Sequence, residues 1–256
     1  MERETGHSHG LEVNKPEMLQ KEYPILVVDP YALNIIDQGP RRGETRLSFY
    51  SAFVANTARE MIQDGRLGVD GKVVLFADAS FGPDFESVGA LVKDYLTRER
   101  PGGPIITPDR VVFFEEQDMN QTVTQVKKLS QYLKKEGIRD QEVAYLGFDY
   151  HRQRVLNHAK GFHVKAKYFT AEYVHSVYEP RFDIDKFYSI LPFDQIKKVE
   201  SLRRRISRFD KKGFIPRLFK PILGGSYMLD NVRNADGTLD YEYMPGEKKL
   251  KKLGYV

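Results

Sequence analysis

The sequence predicts an α/β protein: a three-layer α/β/α sandwich around a mainly parallel, Rossmann-like sheet, with a helical C-terminal subregion. Three observations carry this. Short apolar runs of strand length recur, segments of helical periodicity separate them, and Gly, Pro, Asp and Asn punctuate the changeovers. Strands alternating with helices of this length imply parallel pairing with both sheet faces covered.

Residues 1–22 are polar, with Gly6, Gly10 and Pro16, and read as a mobile tail. The α/β region follows over 23–175. Pro24-Ile25-Leu26-Val27-Val28 reads as a buried strand that Asp29-Pro30 ends. Thr45 to Gln63 reads as a helix, with Leu47, Tyr50, Val54, Ala58, Met61 and Ile62 at helical spacing and Asp64-Gly65 as its stop. Lys72 to Ala77 is a second strand, Asp78 to Pro83 a turn-rich loop, and Asp84 to about Arg98 a helix. Pro101-Gly102-Gly103-Pro104 breaks the chain before a third strand, Arg110 to Phe114.

Asp118 and Gln121 have capping-box spacing for a helix over Asn120 to Lys135, and Glu136-Gly137 ends it. Glu142 to Phe148 is the fourth strand, His151 to Lys160 the next helix, and His163 to Phe169 the fifth strand. Over 176–256 aromatic, proline and basic residues dominate. Phe193, Ile196, Val199, Leu202, Ile206 and Phe209 form an apolar helical stripe there, and the stretch with Asn234-Ala235-Asp236-Gly237 reads as loop.

At 256 residues the chain is long enough for one large domain with an appendage. It contains no cysteine, which excludes disulfides, zinc-thiolate sites and cysteine nucleophiles. His158, His163 and His175 lack metal-ligand spacing, so no structural metal is expected. The start carries no apolar core of signal-peptide length, and the apolar runs are too short to span a bilayer. These features predict a soluble, cytoplasmic protein.

The net charge of +4 is unevenly spread. From Phe193 to Lys220 ten Lys or Arg stand against three Asp or Glu, an excess of seven that leaves about −3 elsewhere. This basic stripe suits an anionic partner. It fits weak contact with an anionic membrane surface or with an acidic protein, and a solvated basic face fits equally. No RNP, KH or zinc-finger pattern accompanies it, which argues against nucleic acid.

In a doubly wound sheet, ligands collect beyond the carboxyl ends of the strands. The second predicted strand exits into Asp78-Ala79-Ser80, the third into Glu115-Glu116-Gln117-Asp118-Met119-Asn120-Gln121-Thr122, the fourth into Asp149-Tyr150-His151-Arg152-Gln153-Arg154. Thr122 falls in the first turn of its helix, where free N–H groups attract an anion; Asn120 and Thr122 fit a plain helix cap as well. His151 and Arg154 are three residues apart at a helix start and share a face. Arg154 suits a phosphate or carboxylate, and His151 a proton transfer near neutral pH. Glu116 reads as a base, as a group that orients His151, or as a surface carboxylate.

These residues resemble the ElyC/SanA/YdcF family, a bacterial group largely of unknown function. The likeness lies in Glu116-x5-Thr122 after one strand and Tyr150-His151-x2-Arg154 after the next, and it covers roughly residues 23–170. The family reads E-x-x-S-x-N-T, then a strand ending in Y-H-x-x-R. Glu86 is similar to a glutamate that opens another family helix. The resemblance implies a three-layer sandwich and a role in bacterial envelope or cell-wall metabolism. The strand exits and the resemblance together give His151 and Glu116 as the proton-transfer pair of any chemistry, and Ser80, Glu86, Asn120, Gln121, Thr122, Tyr150 and Arg154 as ligand contacts, although Met119 and Gln121 replace the family's Ser and Asn. One branch of the family is soluble and is similar to an S-adenosylmethionine-binding protein, which makes that cofactor an expectation. The chain departs from the family's glycine-rich turns at Val28-Asp29-Pro30-Tyr31 and at Ala77-Asp78-Ala79-Ser80. Without those glycines the backbone cannot approach a ligand as closely. Altogether the sequence predicts a small anionic ligand, phosphorylated or nucleotide-like. Peripheral membrane or partner binding through the basic stripe is the alternative.

Overall fold

The computed structural model describes residues 20–30, 33–35, 45–47, 49–78, 87–116, 119, 121–185, 204–205, 207–212, 232–233 and 239–241. Five strands form one all-parallel sheet: β1 Tyr23–Val28, β4 Leu67–Asp78, β5 Val111–Glu116, β6 Val143–Gly147 and β7 Ala166–Thr170, in the order β5-β4-β1-β6-β7. Among the described residues, helices α1 Phe49–Gln63, α2 Val88–Thr97, α3 Thr122–Lys135, α4 Asp149–Gly161 and α5 Ala171–Tyr178 accompany them. This is the α/β sandwich that the alternation predicts.

Strand periodicity builds the two cores. Side chains alternate across a strand. In β1, Leu26 and Val28 enter one core and Ile25 and Val27 the other. The first core packs Val54, Ala58 and Met61 of α1, Val92 and Leu96 of α2, and Ala171 and Val174 of α5. The second packs Val126, Leu129 and Leu133 of α3 against Val155 and Ala159 of α4. Two helical stripes on opposite faces thus make three layers. Burying each such Leu contributes about 2 kcal/mol, and Leu129→Ala would cost roughly 2–5 kcal/mol with the cavity it leaves.

Several boundaries differ from the sequence reading. Thr45–Leu47 is a strand, β3, because it pairs with β2, Leu33–Ile35; helix α1 begins only at Phe49. Helical spacing is blind to such a non-local partner. Ser87 is the N-cap of α2, its side chain accepting from the Ala90 N–H at 3.1 Å, so this helix starts at Val88 rather than Asp84. Gln121 occupies the N-cap of α3 with no side-chain capping bond, so the helix starts at Thr122 and not at Asn120. His163 lies in the left-handed region, φ 57°, and belongs to the turn that ends α4; strand β7 begins three residues later.

The C-terminal part is not helical throughout. It supplies β8 Val232–Arg233 and β9 Leu239–Tyr241, and β9 pairs with β2 in a four-stranded antiparallel sheet ordered β3-β2-β9-β8. Helix α5 runs past residue 175 and joins α1 through His175 Nδ1, 3.1 Å from Glu60 Oε2. Of the predicted tail, residues 1–19 lie outside the described residues, as does most of the predicted helix over 193–209. Phe209, the last residue of the predicted apolar stripe, is 87 % exposed. Among the described residues no helix is long and apolar enough to cross a membrane.

Candidate functional site

Strand order decides where a site can form. From β1 the chain moves outward through β4 to β5, covering one face with α1 and α2. It then crosses back over the other face through α3 to β6, on the opposite side of β1. The order reverses between β1 and β6, and in open α/β sheets that reversal leaves a crevice beyond the carboxyl ends.

Asp29 follows β1 and His151 sits in the first turn of α4, directly beyond β6. Asp29 is 7 % exposed and His151 8 %, and Asp29 Oδ2 lies 3.5 Å from His151 Nδ1. The Asp29 N–H donates to the Leu146 carbonyl at 2.9 Å, which ties the end of β1 to β6. Gly147 permits this approach. A Cβ there would stand 3.4 Å from Asp29 Cβ and only 2.5 Å from Tyr168 Oη.

Two buried phenols lie in the core on the α3–α4 side of β6 and β7. Tyr145 and Tyr168 stack at 5.6 Å, and Tyr168 Oη donates to the Phe148 carbonyl at 2.8 Å. Burial pushes both phenols well above their usual range; Asp29 pushes the same way and Arg154 opposes it. Asp29 and Arg154 therefore act on both tyrosines, and all four share one electrostatic neighbourhood. Glu172, from the first turn of α5, is 2 % exposed and accepts the Asp149 N–H at 3.3 Å. That carboxylate satisfies one of the open donors at the start of α4.

The predicted site residues divide. His151 is brought beside Asp29, and Arg154, one turn further along α4, acts with Asp29 on the same two tyrosines. Tyr150 stacks on Phe148 at 5.5 Å and packs toward the α1 side, with the His151 ring edge-on at 4.5 Å. Thr122 is buried at the start of α3. One turn later Gln125 receives the Tyr145 hydroxyl at 3.5 Å and donates to the Met119 carbonyl at 2.9 Å, linking that helix start to the buried tyrosine pair. Gln121 is half-buried at the N-cap beside Thr122.

Glu116 is elsewhere. It ends the edge strand β5, with β4 and β1 between it and β6, roughly 14 Å at ordinary strand spacing. It is exposed and pairs with Lys128 of α3. The expectation that it works beside His151 is corrected: adjacent crossings in sequence are not adjacent strands in this sheet. Ser80, Glu86 and Asn120 lie outside the described residues. Among the described residues no group of three or more His, Asp or Glu is placed to hold a metal ion.

Asp29, Gln125, Tyr145, Tyr168 and Glu172 were not singled out from sequence. Asp29 carried a readable signal, an acid directly after the most apolar strand. Glu172 looks like any first-turn helix acid.

No family model matches the chain, and no curated protein or solved structure matches it.

Proposed function

We propose that this chain binds a small anionic ligand, phosphorylated or nucleotide-like, in the crevice between the carboxyl ends of β1 and β6. Arg154 supplies the positive charge for the anion. The first turn of α4 adds its dipole. His151 carries the exchangeable proton, and Asp29 orients the imidazole through Nδ1. The observation that supports this reading most is the buried Asp29–His151 pair, 3.5 Å apart, at the reversal of strand order. The Tyr150-His151-x2-Arg154 motif adds the family reading: a cytoplasmic protein linked to envelope metabolism, with S-adenosylmethionine as its first candidate ligand. Glu116 has no part in it.

Titration calorimetry with S-adenosylmethionine, adenosine monophosphate and inorganic phosphate tests the reading. Arg154→Ala and His151→Ala are expected to weaken binding of the bound probe about tenfold or more. A charged hydrogen bond lost from a ligand is worth about that much. Unchanged affinity in both variants, or no binding of any probe to the unaltered chain, overturns it.

A further inference from the structure

The chain between Arg204 and Lys212 turns an ordinary surface pattern inside out. Its polar residues Ser207 and Asp210 are buried, at 2 % and 6 % exposure, while Phe209 stands out at 87 %. Arg204, Arg205, Arg208 and Lys212 are exposed around it. Bonds to helix α4 explain the inversion. Asn157 Nδ2 donates to Ser207 Oγ at 2.9 Å, and that hydroxyl donates to the Arg204 carbonyl at 2.9 Å. The Lys211 carbonyl accepts from His158 Nδ1 at 2.9 Å. Gly161 leaves room for this contact, since a Cβ there would stand 2.6 Å from Lys211 Cβ and 2.8 Å from its carbonyl oxygen. Polar contacts therefore hold the turn on α4, and the aromatic ring takes no part in holding it.

A large apolar ring kept in water opposes the normal drive to burial. Four exposed cations lie within five residues of it in sequence, and the acid of this segment, Asp210, is buried. We propose that this face docks on an anionic lipid bilayer, with Phe209 entering the interfacial region and the four cations lying among headgroup phosphates. Charge complementarity selects an anionic partner. A large aromatic ring exposed beside the cations suits the bilayer interface, where amphipathic segments bury aromatic side chains beside basic ones. The anchor residues Asn157, His158 and Gly161 belong to the second half of α4, and the crevice residues Asp149 to Arg154 to its first half. Docking is thus independent of the proposed ligand site.

Co-sedimentation of the full chain with vesicles tests this, comparing pure phosphatidylcholine with a mixture holding about 30 % phosphatidylserine at about 0.1 M salt. Each basic residue near such a surface is worth about fivefold in partitioning. The chain should pellet with the anionic vesicles and release at high salt. Phe209→Ala should lower the bound fraction severalfold, and Arg204→Glu with Arg208→Glu should abolish binding, both with unchanged melting temperatures. Arg154→Ala should bind vesicles normally, so failure of the ligand site and failure of docking are separable. Equal pelleting with and without phosphatidylserine, or full binding by Phe209→Ala, overturns the proposal. So does a salt-sensitive shift of generic single-stranded RNA without vesicle binding.

Discussion

Asp29 Oδ2 and His151 Nδ1 face each other at 3.5 Å across the seam between β1 and β6, both nearly out of solvent. Neither residue's own segment contains the other's partner. Strand order creates the pair, because β1 lies at the centre of the sheet and the chain returns to its far side only after crossing three strands' width. In the proposed reading this pair lies at the reversal of strand order, where ligands of open α/β sheets collect.

Gly147 is the spacer of that junction, and its replacement should be costly. In Gly147→Ala the new methyl would meet Tyr168 Oη at 2.5 Å. Urea denaturation should show a loss of about 1–3 kcal/mol, the usual range for overpacking. Tyr168→Phe removes the oxygen that clashes and one of two donors to the Phe148 carbonyl, which keeps the His151 N–H at 3.1 Å, so its own cost should be about 1 kcal/mol or less. The double variant should lose clearly less than the two single losses combined. Additive losses would show that the hydroxyl is not the obstruction.

Stability should fall in mild acid through His158. Burial lowers the pKa of this imidazole below its ordinary value, and Arg154 pushes the same way. The Lys211 carbonyl and Asp210 oppose the shift without cancelling it. With the folded pKa depressed, the unfolded chain binds the extra proton first. The stability from a neutral His158 is then complete above the unfolded value near 6.5 and is lost as pH falls through the folded value. Urea midpoints measured downward from about pH 7.5 should decline. The decline should be shallower in His158→Asn, whose amide can still donate to the Lys211 carbonyl.

Glu116→Gln should be nearly silent. The Glu116–Lys128 pair is at the surface, with side chains 49 % and 29 % exposed, so its loss should cost at most about 1 kcal/mol. Calorimetry should give the same ligand affinity as the unaltered chain. A tenfold loss would place this carboxylate in the site despite its edge strand.

Much of the fold is legible in local pattern. Ile25 to Val28 and Val73 to Ala77 are apolar on both faces, as strands covered on both sides must be, and they form the centre of the sheet. The stripe Val126, Leu129, Leu133 reads directly as a buried helix face. Thr45–Leu47 could not be read, because its strand state depends on Leu33–Ile35 and, through that strand, on Leu239–Tyr241 far along the chain. The site divides in the same way. His151 and Arg154 are visible because three-residue spacing at a helix start puts them on one face. Asp29 and Glu172 join them only through the order of the strands, and Glu116 leaves them for the same reason.

The most direct test of the site is amide chemical-shift mapping by NMR during titration with S-adenosylmethionine and, separately, inorganic phosphate. Shifts should cluster at Asp29 and at Asp149 to Arg154, reach Thr122 at the margin, and vanish in Arg154→Ala. Perturbations centred instead on Glu116 and Lys128, or a cluster at the crevice that persists in Arg154→Ala, would contradict the assignment of Asp29, His151 and Arg154 to one ligand site.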